Sequence, residues 1–208
     1  MKNKSLAIIL ILIILHLVGL FGLNSEDWRT VFRKLIPVNI LITTVLVFAF
    51  HRNWNTKFII LPIVTILTGF ISEVIGVQSG LLFGDYFYEE NLGPKIFGVP
   101  IILGLNWLLL IYCSRITANF LLNNPLLQAL TASFLMVLLD LFLEPFAIFH
   151  DMWEWEQVTV PLKNYISWFG VALIIQLLFN RIKIDVNNVA IAAYVVMLSF
   201  FILNLYFV

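Results

Sequence analysis

Leu6-Ala7-Ile8-Ile9-Leu10-Ile11-Leu12-Ile13-Ile14-Leu15-His16-Leu17-Val18-Gly19-Leu20-Phe21-Gly22-Leu23 is an unbroken apolar run without a charged side chain. A helix rises about 1.5 Å per residue, so a run of this length nearly matches the roughly 30 Å hydrocarbon core of a bilayer. It follows Met1-Lys2-Asn3-Lys4, a charged start of the kind that opens a secretory signal. The run exceeds a signal's apolar region and has no small-x-small cleavage site, so it reads as a retained first span.

The pattern repeats along the chain. Further apolar stretches fall at about 35–50, 58–77, 99–119, 126–149, 165–179 and 189–207, parted by polar or Gly/Pro-containing segments. The spacing predicts an all-α fold: a polytopic integral membrane bundle of about seven transmembrane helices forming a single domain over residues 1–208. Pro37, Pro62 and Pro125 fall near the expected starts of their spans, where a missing N–H costs least. The composition agrees: 62% of residues are hydrophobic, 12% are charged and the mean hydropathy is +1.01. This is about half the charge of an ordinary soluble domain.

The formal net charge is zero and there is no basic tract, so nothing points to nucleic acid or to a polybasic hold on lipid. The lone cysteine, Cys113, has no intrachain partner for a disulfide. There is no His-rich cluster, no Walker loop and no G-x-G-x-x-G, so no metal, phosphate or dinucleotide site is visible. The last span has no lysine for a retinal Schiff base, and the Asp-rich metal motifs of prenyl-diphosphate chemistry are missing.

Lys2, Lys4, Arg52, Lys57, Arg115, Arg181 and Lys183 share one side of this layout, and Arg29, Arg33, Lys34, Lys95 and Lys163 the other. The bias predicts a cytoplasmic N-terminus in a multi-pass protein of the cell inner (cytoplasmic) membrane. Independently of orientation, the polar, aromatic connections 79–98 and 150–164 are both odd-numbered and open on one face. Glu73, Asp140 and Glu144 approach that same face.

Asp140 and Glu144 stand four apart in Leu138-Leu139-Asp140-Leu141-Phe142-Leu143-Glu144-Pro145, on one helix face. A charged side chain near mid-bilayer costs about 2.5 to 3.5 kcal/mol on insertion scales, so such acids usually face a cavity and serve a function. General-acid catalysis in an apolar site needs a carboxylic acid that keeps its proton near neutral pH. The structural alternative is a hydrogen-bonded acid that ties helices together. Glu73 either joins that site or lies at the water interface. Tyr86 and Tyr88 are belt residues or the mouth of a pocket, and Trp153, Trp155 and Trp168 at a membrane boundary read as an ordinary aromatic belt. Indole faces can also stabilise a carbocation, by about 0.5 to 2 kcal/mol. His150, beside Asp151, is a proton shuttle or an ordinary hydrogen-bonded histidine.

Taken together, Phe83-Gly84-Asp85-Tyr86-Phe87-Tyr88, Leu92-Gly93-Pro94-Lys95, Gly98-Val99-Pro100, Asn106-Trp107, Asp140-Leu141-Phe142-Leu143-Glu144-Pro145, Trp153-Glu154-Trp155, Val160-Pro161, Asn164-Tyr165 and Trp168 resemble the membrane carotenoid 1,2-hydratase family, which includes the bisanhydrobacterioruberin hydratases. The resemblance covers roughly residues 70–180; residues 1–60 and the last span match only as hydrophobic helices. It implies cofactor-independent addition of water to the terminal C1–C2 double bond of an acyclic, lycopene-like end group, giving a tertiary 1-hydroxy group. The implied partners are an apolar C40 or C50 carotenoid, water, the lipid bilayer and other membrane enzymes of the same pathway.

On that reading Asp140 or Glu144 protonates the alkene and the other orients or deprotonates water, with Glu73 able to replace either. Trp153, Trp155, Tyr86 and Tyr88 shield the cation, and Asn164 or His150 holds the water. The rivals are a proton-coupled transporter or channel, a lycopene cyclase-like enzyme in which a neighbouring alkene captures the cation, and a catalytically silent assembly partner.

Overall fold

A computed structural model describes residues 2–157 and 159–207, the side chain of Lys2 excepted. Seven helices run in chain order: α1 (Lys2–Asn24), α2 (Arg29–Phe48), α3 (Thr56–Ser79), α4 (Ile102–Leu121), α5 (Pro125–Phe149), α6 (Leu162–Phe179) and α7 (Asn188–Asn204). The connection from α3 to α4 holds β1 (Tyr86–Tyr88), a 3-10 turn at Glu90–Leu92, and the small hairpin β2 (Lys95–Ile96) and β3 (Val99–Pro100). The α5–α6 connection carries β4 (Trp153–Trp155). The all-α membrane bundle expected from the hydropathy pattern is what forms.

Asparagines open three helices on the face that carries the N-terminus. The side-chain oxygens of Asn55, Asn124 and Asn187 accept from the first backbone N–H groups of α3, α5 and α7. Pro125 occupies the first turn of α5, where its missing donor costs nothing. Pro37 and Pro62 depart from expectation: both lie inside their helices. The reason for Pro37 is that α2 starts at Arg29, upstream of the apolar run. Its first turns are held by polar contacts: Arg29 donates to the Leu23 carbonyl, and Arg33 pairs with Asp151 and donates to the Phe149 carbonyl at 2.8 Å.

Five helices, α1, α2, α3, α5 and α6, are long and apolar enough to cross a membrane, and many of their large apolar side chains face outward. Leu10, Ile14, Leu17 and Phe21 on α1 are examples, suited to lipid rather than water. α7 is apolar but has only 17 residues. α4 is the hub, packed against α2, α3, α5, α6 and α7, which explains how it carries Ser114, Arg115 and Thr117 fully covered. Arg115 donates to the Gln176 carbonyl and to Asn180 Oδ1, so its charge is solvated by protein dipoles.

Candidate active site

The two aromatic connections meet. β1 and β4 pair antiparallel, with Tyr86 opposite Trp155, Phe87 opposite Glu154 and Tyr88 opposite Trp153. Side chains alternate across a strand, so the outer residues of each triplet point one way and the middle ones the other. Tyr86, Tyr88, Trp153 and Trp155 are buried, while Phe87 and Glu154 are exposed. The ribbon thus turns four aromatic hydrogen-bond donors onto the end of the bundle.

Each pair of donors meets one carboxyl. The Tyr86 and Tyr88 hydroxyls donate to Glu73 Oε2 at 2.6 and 2.7 Å, and the Trp107 indole donates to Glu73 Oε1 at 2.9 Å. The Trp153 and Trp155 indoles donate to Glu144 Oε2 at 3.0 and 2.9 Å. Asn164 Nδ2 donates to both Glu144 Oε1 (3.2 Å) and Asp140 Oδ2 (3.1 Å), joining the two acids of α5. Asp140 Oδ1 has no donor among the described residues. All three acids are buried, each at most 2% exposed. The phenols of Tyr86 and Tyr88 are pushed well above the usual tyrosine range, by burial first and then by the neighbouring Glu73 charge. They stay protonated and donate.

Backbone spacing makes this possible. Gly69, Glu73 and Gly76 share a face of α3; a Cβ at Gly69 would run into the Trp107 ring, and one at Gly76 into Phe83 and the Tyr86 hydroxyl. Trp107 stacks on Trp168, with ring centroids 4.6 Å apart.

Glu73, Glu144, Tyr86, Tyr88, Trp107, Trp153, Trp155, Asn164 and Trp168 surround a small cavity of about 20 Å³, enough for one water molecule. Beside it lies an apolar cavity of about 360 Å³, walled by α1, α2, α4, α5 and α7 and by the α3–α4 and α5–α6 connections. Leu103, Asn106, Leu143 and Trp153 line both, so the two spaces adjoin. Val18, Leu35, Val38 and Ile42 line the larger one and are also exposed on the outer flank of α1 and α2, which opens it sideways toward lipid.

Of the residues singled out from sequence, the structure brings together Glu73, Glu144, Tyr86, Tyr88, Trp153, Trp155, Asn164 and Trp168. Asp140 is tied to the group through Asn164 but is off the cavity wall. His150 is not part of it: fully buried, it lies against Phe146 and Phe149, and among the described residues neither ring nitrogen has a hydrogen-bond partner. Burial, together with the Arg33 and Arg29 charges, lowers its pKa to about 4. Trp107 and Asn106 carry no expected role, although the Asn106-Trp107 pair belongs to the motifs quoted for the resemblance. Among the described residues, no three His, Cys, Asp or Glu are grouped to hold a metal ion.

A membrane bundle with a buried, donor-rich carboxylate site beside a lipid-facing apolar cavity defines the class. The family model "Carotenoid biosynthesis protein" matches residues 34–208, and the chain belongs to this family. It is also similar to a bisanhydrobacterioruberin hydratase of Haloarcula japonica, with 29% identity over 116 residues, covering 52% of this chain and 40% of that protein. The match therefore spans less than half the length of that relative. No solved structure matches the chain. A multi-pass membrane protein of carotenoid biosynthesis is thus established.

Proposed function

We propose that the chain hydrates the terminal C1–C2 double bond of an acyclic carotenoid end group without a cofactor. The observation that carries this reading is the junction of a water-sized, glutamate-walled cavity with an apolar one open to lipid. A polyene dissolved in the bilayer slides its end along the larger cavity toward Leu103, Leu143 and Trp153, and a water occupies the smaller one.

Glu144 is the proton donor. Its proton passes to C2, the π electrons form the new C–H bond, and a tertiary cation is left at C1. The carboxylate that remains is met by two indole N–H groups and one amide N–H already aimed at it, so charge develops into a prepared site. The indoles of Trp153 and Trp155 stand beside the cation. Water oxygen bonds to C1 and its proton goes to Glu73, whose two phenol partners can rotate from donating to accepting. A second water returns that proton to Glu144, closing the cycle. Asp140 positions Glu144 through their shared Asn164.

Asn164 is committed to the two acids and His150 stands aside, so the water is oriented by Asn106, at the junction of the two cavities. The reading is preferred over a cyclase because the space beside the glutamates admits a water rather than a second alkene. Expression in a lycopene-accumulating bacterium, with mass analysis of extracted pigment, tests it. A gain of about 18 mass units per modified end is expected for acid-catalysed water addition. A cyclised product of unchanged mass would replace hydration by cyclisation.

A further inference from the structure

At the end of the bundle opposite the acids, the α2–α3 connection packs beside the segment that leads from α6 into α7. Asn53 Nδ2 donates to Asp185 Oδ2, and Asn187 Nδ2 donates to the Val47 carbonyl at 2.9 Å, so the two connections are pinned together. His51 anchors the first of them. Its ring stacks on Phe58 with centroids 3.6 Å apart, its Nδ1 lies 2.9 Å from the Tyr112 hydroxyl, and its carbonyl accepts from the Trp54 indole N–H at 3.1 Å. Trp54, held in this way and packed T-shaped against Phe58, is still 54% exposed.

An open cavity of about 430 Å³ lies here, walled by Arg52, Asn53, Trp54, Asn55, Lys183 and Asp185. Its size is within the range of about 300 to 1,000 Å³ usual for small-molecule sites. Its charges are of both signs. Among the described residues Arg52 and Lys183 make no ion pair, and Asp185 commits only Oδ2, to Asn53. The cavity opens where α2 ends and α3 begins, the headgroup level of a bilayer that these helices cross. Ile59 and Ile60 on α3 and Val186 before α7 are exposed next to it, an apolar flank suited to acyl chains.

We propose that this cavity binds the headgroup of a phospholipid that carries both a phosphate and a primary ammonium, the phosphoethanolamine type. The phosphate oxygens accept from Arg52 and Lys183, and the ammonium donates to Asp185 Oδ1 beside the Trp54 ring. Each charge of the wall then meets its opposite. A purely anionic headgroup leaves the Asp185 carboxylate unanswered, and a quaternary ammonium has no N–H to give it. A free phosphate answers the two cations but makes no use of the apolar flank.

The test is lipid competition on the whole protein in detergent. An equimolar mixture of dioleoyl phosphatidylethanolamine, phosphatidylcholine and phosphatidylglycerol is added, and bound lipid is read by native mass spectrometry. The ethanolamine lipid is expected to exceed either competitor about fivefold, the yield of one partly exposed charge pair. Asp185→Asn keeps an acceptor for Asn53 and is expected to bring the ethanolamine and choline lipids to parity. Lys183→Gln, at an exposed position, weakens all three, and inorganic phosphate at millimolar concentration displaces none of them. Equal binding in the unaltered protein, an excess of phosphatidylglycerol, a preference that survives Asp185→Asn, lipid binding untouched by Lys183→Gln, or displacement by inorganic phosphate would overturn the proposal.

Discussion

Glu144 is surrounded by N–H groups, which donate but never accept, whereas Glu73 is held by two hydroxyls and one indole. On the proposed reading that difference divides their roles: the first would be stabilised in the form that has lost its proton, and the second would take one up while its partners turn. Glu144→Gln and Glu73→Gln are each expected to reduce hydration by about 100-fold or more, the usual worth of a positioned acid or base. Asp140→Asn, off the cavity wall, is expected to cost only about tenfold, as a misplaced rather than missing group. Initial rates of pigment conversion at matched protein levels check this ranking.

His150 supplies a pH signature instead. Its folded pKa, about 4, lies below the ordinary 6.5, so unfolded chain binds its proton more readily. The His150 contribution to stability is therefore expected to be lost as pH drops from about 6.5 toward 4, so that His150→Gln loses less, or gains more, than the unaltered protein over that window; the difference between their thermal unfolding at stepped pH measures it. His51, also lowered by burial, adds to the same slope and remains in the variant. The three acids were legible in the sequence because carboxyls stand out in apolar spans. Helix spacing put Asp140 and Glu144 on one face, but it could not tell which of them reaches the cavity.

The β1–β4 ribbon converts a polar loop pair into a lid of aromatic donors. Two three-residue triplets, Tyr86-Phe87-Tyr88 and Trp153-Glu154-Trp155, have a period of two that is visible in sequence but too short to be told from an aromatic belt. Their pairing across 65 and more residues is what turns them inward. The helix side of the site was equally hidden. Gly69 looks unremarkable until Trp107 from α4 packs over it and reaches Glu73. Gly69→Val should therefore displace Trp107, weaken the Glu73 site and destabilise the bundle by about 1 to 3 kcal/mol, as overpacked interiors do. A lower unfolding temperature with impaired hydration is the expected pair of observations. α2 shows the same limit of one-dimensional reading: its charged first turns look like a loop, and the Arg33–Asp151 pair makes them helix.

At the scale of the molecule, the helices that the motifs leave out prove to matter. α1 and α2, readable in sequence only as hydrophobic, form much of the apolar cavity and its lipid-facing mouth. A cavity assembled from several helices has no local signature, so its existence could not be read from any one of them. Val38→Trp at that mouth is expected to leave expression and thermal stability nearly unchanged while slowing conversion of a long polyene several-fold, because the added ring stands where the chain slides in. We also propose that the N-terminus is cytoplasmic in the cell's inner membrane, which places the acid site at the opposite face; reporter fusions at the two termini should then report opposite sides. Addition of water at the buried glutamates is tested most directly by incubating membranes that contain the chain with lycopene in ¹⁸O-labelled water. A product heavier by about 20 mass units per modified end, absent with Glu144→Gln, is the expected result. Unlabelled or unchanged pigment from the intact protein, or the same labelled product from the variant, would contradict it.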